Sequence, residues 1–378
     1  MESVTADGAF ENQPTPPPPP QTAVATDSSG PQGQPHRFEF SGQAGEFFRI
    51  WIVNIALSLL TLGIYSAWAK VRTKRYFYGS TSLAGSSLDW DANPIAILKG
   101  RIIAVTLLLI LHVAGSFYPL ALIALYLLLL PALPWIMIRS MGFNLRHSIY
   151  RNVRFGFDGK YWEAFKVYLL WGLAIIASFG LAMPYVMHRQ RRFITDRSRF
   201  GTTNFKFDGE IGFFYVVYII AYLVQLGLIV VVAVMAGGLT LLGIEGGASV
   251  ENEGPPVGFI IAMVLGYVVM IALFTLITVA ITTLIANHSW SRTQLGQVRF
   301  NLDLKVGKML WLQLSNLFLI IVSLGLFIPW AKIRTTRYVL SRYTVFADSL
   351  DKYVAAEAEN VSAIGSEIGD VFDLDISI

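Results

Sequence analysis

The chain has 378 residues, 54% of them apolar and 14% charged, with a net charge of +4. A soluble domain carries about 25% charged residues, so this composition excludes an ordinary soluble enzyme and points to a polytopic membrane protein. The absence of cysteine excludes disulfides, thiolate nucleophiles and cysteine-ligated metals. The small positive charge clusters beside apolar runs, which suits membrane orientation rather than nucleic-acid binding.

Residues 1–36 lack the basic and apolar regions of a cleavable signal. They contain Pro14 and the run Pro16 to Pro20 and read as a disordered, partly polyproline tail. A Pro-rich ligand for a partner protein is the sharper alternative.

Beyond the tail the chain aligns with itself at offsets of 117 and 262 without gaps. Phe38, Phe155 and Phe300 coincide, as do Gly63, Gly180 and Gly325. Between Phe38–Tyr76 and Phe300–Tyr338, 13 of 39 positions are identical. The strongest match is Trp68-Ala69-Lys70-Val71-Arg72-Thr73-Lys74-Arg75-Tyr76 against Trp330-Ala331-Lys332-Ile333-Arg334-Thr335-Thr336-Arg337-Tyr338. A weaker copy runs from Tyr185 to Phe193 and includes Arg189 and Arg192.

Each unit opens on an alternating aromatic stretch, such as Phe155-Gly156-Phe157, that predicts a short strand. Asp158-Gly159 follows it as a turn signal. Apolar segments then run over about 47–68, 164–184 and 309–330. The alternation returns in Leu88-Asp89-Trp90 and in Phe205-Lys206-Phe207. Plain apolar pairs, at about 101–117 with 119–138 and 211–236 with 257–286, separate the units.

The organisation expected is therefore a tail (1–36), repeat unit 1 (37–93), a transmembrane hairpin (94–140), unit 2 (141–210), a second hairpin (211–287), unit 3 (288–353) and an acidic C-terminal tail (354–378), solvated or folded back on the basic segments by charge. The fold class is all-α transmembrane, with about seven apolar segments and short β-strands flanking three repeated membrane segments.

Charge and length disagree about the crossings. Twenty apolar residues ordinarily span, which gives seven simple crossings. Yet Arg139, Arg146, Arg151 and Arg154 precede the second repeat segment, and Arg189, Arg191 and Arg192 follow it. Both flanks favour the cytoplasm. A re-entrant course for the three repeat segments, bent at Gly63, Gly180 and Gly325, satisfies the charges instead.

The Trp-Ala-Lys-x-Arg-Thr-x-Arg-Tyr element follows Leu62-Gly63 and Leu324-Gly325. With the Phe-x-Phe starts and the ending Gly369-Asp370-Val371-Phe372-Asp373, the chain over 38–378 resembles the YjgN-like family. The resemblance implies a multi-pass protein of the bacterial inner membrane and carries no catalytic or ligand residues. The second unit departs from the pattern, with Met187 in place of Lys70 and Lys332.

The candidate site is the repeated basic and aromatic element: Trp68, Lys70, Arg72, Arg75 and Tyr76; Arg189 and Arg192; Trp330, Lys332, Arg334, Arg337 and Tyr338. Arginines three apart share a helix face. They act either as an interfacial anchor or as a pocket for lipid phosphates, since arginine forks match phosphate oxygens. Asn54, His112, Gln225 and Asn316 are polar candidates within apolar runs. Hydrogen bonds between helices are the ordinary role of the asparagines and Gln225, with polar substrate contact as the alternative. His112 is either bonded to a neighbouring helix or part of a proton relay.

No motif for phosphate-loop, serine-hydrolase or zinc chemistry is present, and the five histidines lack metal-ligand spacing. The expectation is no enzyme, no cofactor and no metal. Membrane lipids are the expected partners, and nucleic acid is not. Three classes stand: a structural or anionic-lipid-interacting membrane protein, a transporter or channel for a small solute, and a scaffold recruiting partners through its tails.

Overall fold

A computed structural model describes residues 33–241 and 257–359. The expected tail over 1–36 falls mostly outside them, but strand β1 (Gln34–Phe40) already begins within that span. The other strands are β2 (Thr81–Leu83), β3 (Ser86–Trp90), β4 (Ser148–Tyr150), β5 (Val153–Phe157), β6 (Ser198–Phe200), β7 (Thr203–Phe207), β8 (Thr293–Leu295), β9 (Val298–Leu302) and β10 (Tyr343–Ala347). Each pairs antiparallel with its neighbours in sequence, and β1 pairs with β10, so the ten close into one barrel.

Four of the strand pairs have the same form: a three-residue strand, a two-residue turn and a five-residue strand. The turns are Ala84-Gly85, Arg151-Asn152, Gly201-Thr202 and Gly296-Gln297. Both residues of the first two lie at positive φ, the geometry that matches the right-handed twist of paired strands. All four turns lie at one end of the barrel. Every helical excursion must therefore leave and return at the other end.

There are five such excursions among the described residues. Helices α1 (Ala44–Leu60) and α2 (Ser66–Gly79) form hairpin A between β1 and β2. Helix α3 (Pro94–Phe117) with α4 (Pro119–Leu129) and α5 (Ala132–Arg146) forms the second, between β3 and β4. Hairpin B joins β5 to β6 through α6 (Tyr161–Ala164), a π-helical stretch (Phe165–Leu170), α7 (Trp171–Ala177) and α8 (Met183–Asp196). Helices α9 (Ile211–Leu241) and α10 (Val257–Ser291) make the fourth, and α11 (Val306–Val322) with α12 (Ile328–Ser341) makes hairpin C.

This corrects the all-α class with seven apolar segments. A closed β-barrel carries the helices, and three described helices, including Pro94–Phe117, are long and apolar enough to cross a membrane. The repeated segments are not simple crossings. Each is broken at its glycine and folds back, because its two flanking strands are neighbours in the barrel. The charge conflict disappears for the same reason: both basic flanks of each segment lie at one end of the barrel.

Period two along the strands sends Leu83, Leu88, Tyr150, Val153, Phe155, Phe200, Phe205, Leu295, Val298, Phe300 and Val345 into one apolar core. The core leaves a cavity of about 90 Å³. At the turn end, helix α13 (350–359) closes it by inserting Leu350 and Val354. The stretch 354–359 is thus folded back on the barrel, and the rest of the expected acidic tail lies outside the described residues. Glu357 is 3% exposed. Its carboxylate accepts hydrogen bonds from the Thr203 amide and the Thr203 hydroxyl, both at 3.0 Å, and from the Thr202 amide and hydroxyl. Burial alone would raise its pKa, but these four donors outweigh that and hold it below the ordinary glutamate value. Asp351 pairs with Arg151, which also donates to the carbonyl of Ala84 at 2.9 Å.

Asp158-Gly159 is not a hairpin turn but the exit from β5 towards α6. The glycine makes room for a ring: a β-carbon at position 159 would sit 2.4 Å from Phe157. Gly42 beneath Phe40 and Gly209 beneath Phe207 serve the same purpose, at 2.5 and 2.1 Å.

Candidate anion and lipid-headgroup sites

Hairpins A, B and C share one tip. The first leg ends in a hydroxyl residue (Thr61, Ser178 or Ser323), followed by an apolar residue and a glycine, both at positive φ. Leu62, Phe179 and Leu324 each have φ near +50°. The hydroxyl accepts from a backbone amide four residues on, at 2.9 Å in all three hairpins. The glycine amide bonds back to the carbonyl five residues earlier, at 2.7–2.8 Å. This is the six-to-one bond of a helix C-terminus. It leaves Leu62 94%, Phe179 98% and Leu324 94% exposed. A left-handed bulky residue costs about 1–2 kcal/mol. Each tip therefore spends backbone strain to present an apolar side chain outward.

Behind the tips the repeated element divides its work. Tyr76 and Tyr338 are fasteners: their hydroxyls accept the amides of Gln43 and Lys305, the residues that precede the first legs, at 2.8 and 2.9 Å. Asn54 reaches the Ala69 carbonyl and Thr73 hydroxyl at 3.5 Å, and Asn316 the Thr335 hydroxyl at 3.1 Å. Each asparagine stitches the two legs of its own hairpin. Arg334 donates to Ser315 at 2.9 Å and to Asn316 at 3.3 Å, and Arg337 to the Gly42 carbonyl at 2.8 Å. Trp330 packs on Phe48, with ring centroids 5.1 Å apart, and Trp68 stacks on Tyr65. Arg72 and Arg75 are exposed and make no hydrogen bond or ion pair among the described residues.

Hairpins A and C are neighbours because β1 and β10 pair. Lys70, Lys74 and Lys332 consequently line one groove, a cavity of about 520 Å³ that Trp51, Asn54 and Ser58 also border. Sequence reasoning overlooked Lys74, which sits between the two conspicuous arginines. Its Nζ donates to the Asn144 side chain at 2.6 Å and lies 4.6 Å from the Trp90 ring, and burial lowers its pKa.

Arg189 and Arg192 lie elsewhere. They border a separate cavity of about 680 Å³ between hairpin B and β7, with Lys166, Trp171, Tyr185, Asp196 and Lys206. The three units thus do not converge on one pocket. Five excursions in a ring alternate repeated and plain hairpins until A meets C, and B is left between the two plain ones.

His112 is exposed on α3, and Gln225 is exposed on α9. One polar cluster escaped the sequence reading altogether. Asp91 accepts from Arg154 at 2.7 and 3.2 Å and contacts His147 Nδ1 at 3.0 Å, tying the base of the second excursion to β5. The Arg154 hydrogen bonds, against a smaller effect of burial, hold the Asp91 pKa below its ordinary value. Nothing in the spacing of positions 91, 147 and 154 announces that cluster.

Residues 35–371 match the family model described as "Bacterial protein of unknown function (DUF898)". The chain is similar to the "Inner membrane protein YjgN" of Salmonella typhimurium, 28% identical over 128 residues, which is 32% of this chain and 31% of that protein. It is also 28% identical over 145 residues to the protein of that name from Escherichia coli K12, covering 37% and 36% of the two chains. The match thus spans about a third of these relatives' length. No solved structure matches the chain.

Proposed function

The chain belongs to this family of bacterial inner-membrane proteins of unknown function, and on that premise we propose that it is a multi-pass protein with a threefold internal repeat that grips anionic lipid headgroups. Two plain hairpins cross the bilayer. The three repeated hairpins dip into one leaflet from the barrel side, which the basic residues place in the cytoplasm.

The observation that carries this reading is the distance between tip and charge. From Gly63 to Lys70, and from Gly325 to Lys332, the helix rises about 10 Å. A leaflet's hydrocarbon is roughly 15 Å deep, half of a core about 30 Å thick. Tips sunk about 10 Å, short of the bilayer midplane, therefore bring Lys70 and Lys332 to the polar boundary of the leaflet, where their side chains reach the phosphates. Juxtamembrane cations there attract anionic lipid by about 1 kcal/mol each. Leu59, Leu60, Ile176, Ile321 and Val322, all more than half exposed, extend the apolar collar around the tips.

The test is retention of phosphatidylglycerol by purified protein, read by native mass spectrometry. Changing Lys70, Arg72 and Lys332 together to glutamine is expected to lower the number of bound anionic lipids. Unchanged retention would sink the reading.

A further inference from the structure

Hairpin B differs from A and C at the position that joins the two legs. Trp171 stands where Asn54 and Asn316 stitch their legs together. Its ring meets Tyr185 at 4.7 Å and 64°. The legs of B are therefore held on an aromatic wedge rather than by an amide bridge. The first leg also carries the π-helical stretch Phe165–Leu170, a widened turn often found at functional sites. Both legs and strand β7 border the cavity of about 680 Å³.

Five cations border it, and two are neutralised. Arg192 pairs with Asp196 at 3.3 Å and Arg197 with Glu163 at 2.6 Å. Lys166, Arg189 and Lys206 have no carboxylate within 4.0 Å among the described residues. They come from the π-helical stretch, α8 and β7, so three separate elements converge on one space. Arg189 is pre-oriented: its Nε donates to the Tyr185 hydroxyl at 3.0 Å, and its guanidinium carbon lies 5.1 Å from that ring's centre. Its terminal nitrogens make no hydrogen bond among the described residues. The three side chains are exposed, so water screens their mutual repulsion, but they border one cleft whose positive charge meets no partner carboxylate among the described residues. Phosphate, with several acceptor oxygens, meets two lysines and an arginine fork together. The exposed side chains of Leu170, Leu173 and Ile176 continue from the cleft along the same leg towards the tip, offering an apolar path for acyl chains.

We infer that the cleft of hairpin B is a binding site for one phosphate-bearing anion, held by Lys166, Arg189 and Lys206 beside the Trp171–Tyr185 wedge. The source is either a phospholipid headgroup or free phosphate. The lipid source rests on the reading above; the site does not.

The experiment uses the full chain in nanodiscs of phosphatidylcholine, titrated with short-chain phosphatidylglycerol and, separately, with inorganic phosphate. One tight equivalent is expected. K166Q/R189Q/K206Q is expected to weaken it at least about tenfold, given the strength of charge-assisted hydrogen bonds. W171N keeps every charge but removes the Trp171–Tyr185 wedge beside which the three cations lie, and a loss of the tight equivalent is expected from it as well. Competition by inorganic phosphate identifies a soluble source, and its failure to compete identifies the lipid; the site stands in both cases. Binding that survives both variants in folded protein overturns it. If the triple variant does not fold, K206Q alone, at an exposed strand position, is read with W171N. The variant of Lys70, Arg72 and Lys332 separates the two ideas: it should leave the tight equivalent intact even if the broader lipid reading fails.

Discussion

The guanidinium of Arg337 donates a 2.8 Å hydrogen bond to the carbonyl of Gly42, across 295 residues of chain. The bond joins hairpin C to the start of hairpin A, where Trp330 packs on Phe48. It exists because the first and last strands pair, Gln34 opposite Ala347, and close the barrel.

This seam should behave as one unit. Arg337→Ala and Phe48→Ala are each expected to lower the melting temperature of the protein in detergent. Their effects should be non-additive, with a coupling of about 0.5–3 kcal/mol, as for residues linked through one shared interface. Additive losses would mean that the two contacts act independently and the seam is not one unit.

Single cysteines at Ser41, Ser80, Ser198 and Ser341 report sidedness cleanly, since the chain has none of its own. All four lie where a hairpin joins the barrel. All are expected to react with an impermeant maleimide in inside-out vesicles and to stay protected in intact cells. Labelling of Ser41 and Ser80 from opposite faces would remove the re-entrant arrangement.

Loss of the Glu357 carboxylate leaves the Thr202 and Thr203 donors without their acceptor under α13. Glu357→Ala is expected to cost about 1–3 kcal/mol, the penalty for buried polar groups left unpaired. The dependence on pH has a definite sign. The folded-state pKa of Glu357 is lowered, so its stabilisation is complete above the unfolded-state value and is lost as pH falls through the folded one. Melting curves taken downward from the ordinary glutamate value of 4.5 should converge between wild type and variant. Parallel curves would show that the carboxylate is not the relevant group.

Gly159 is expected to tolerate no side chain. Gly159→Ala sets a methyl against the Phe157 ring and should destabilise by about 1–3 kcal/mol, as overpacking does. Phe157→Leu in the same chain should recover part of that loss. If the alanine variant melts like wild type, the ring does not fix the strand exit.

At the tips, Phe179→Asp is expected to remove hairpin B from the bilayer without unfolding the barrel, because that side chain touches little else. Protease protection of the tip in liposomes should fall, while the melting of the barrel core stays unchanged.

Much of this was legible locally. The Phe-x-Phe starts, the leucine or phenylalanine before each tip glycine and the basic run after it are contiguous stretches whose geometry depends on near neighbours. Asn54 and Asn316 were marked by being polar among apolar residues, and their partners lie only 19 residues away. Strands such as Thr81–Leu83 and Ser198–Phe200 were not legible, because three residues cannot establish a period. The role of Gly159 was misread because a turn and a ring-accommodating gap ask for the same residue.

By itself the sequence determined that the chain is a membrane protein and that an apolar stretch with a glycine and a basic, aromatic end returns along it, and it left charge and length in disagreement about the crossings. Hydropathy, glycine and charge act over a few residues, so they are readable in one dimension. Only the tertiary structure decided that the strands form a closed ring rather than separate flanks. Closure is a property of all ten strands at once, and it forces each excursion to return to its neighbour's edge. That constraint turns 20-residue apolar segments into hairpins, sets A beside C, and isolates B with its own basic cleft.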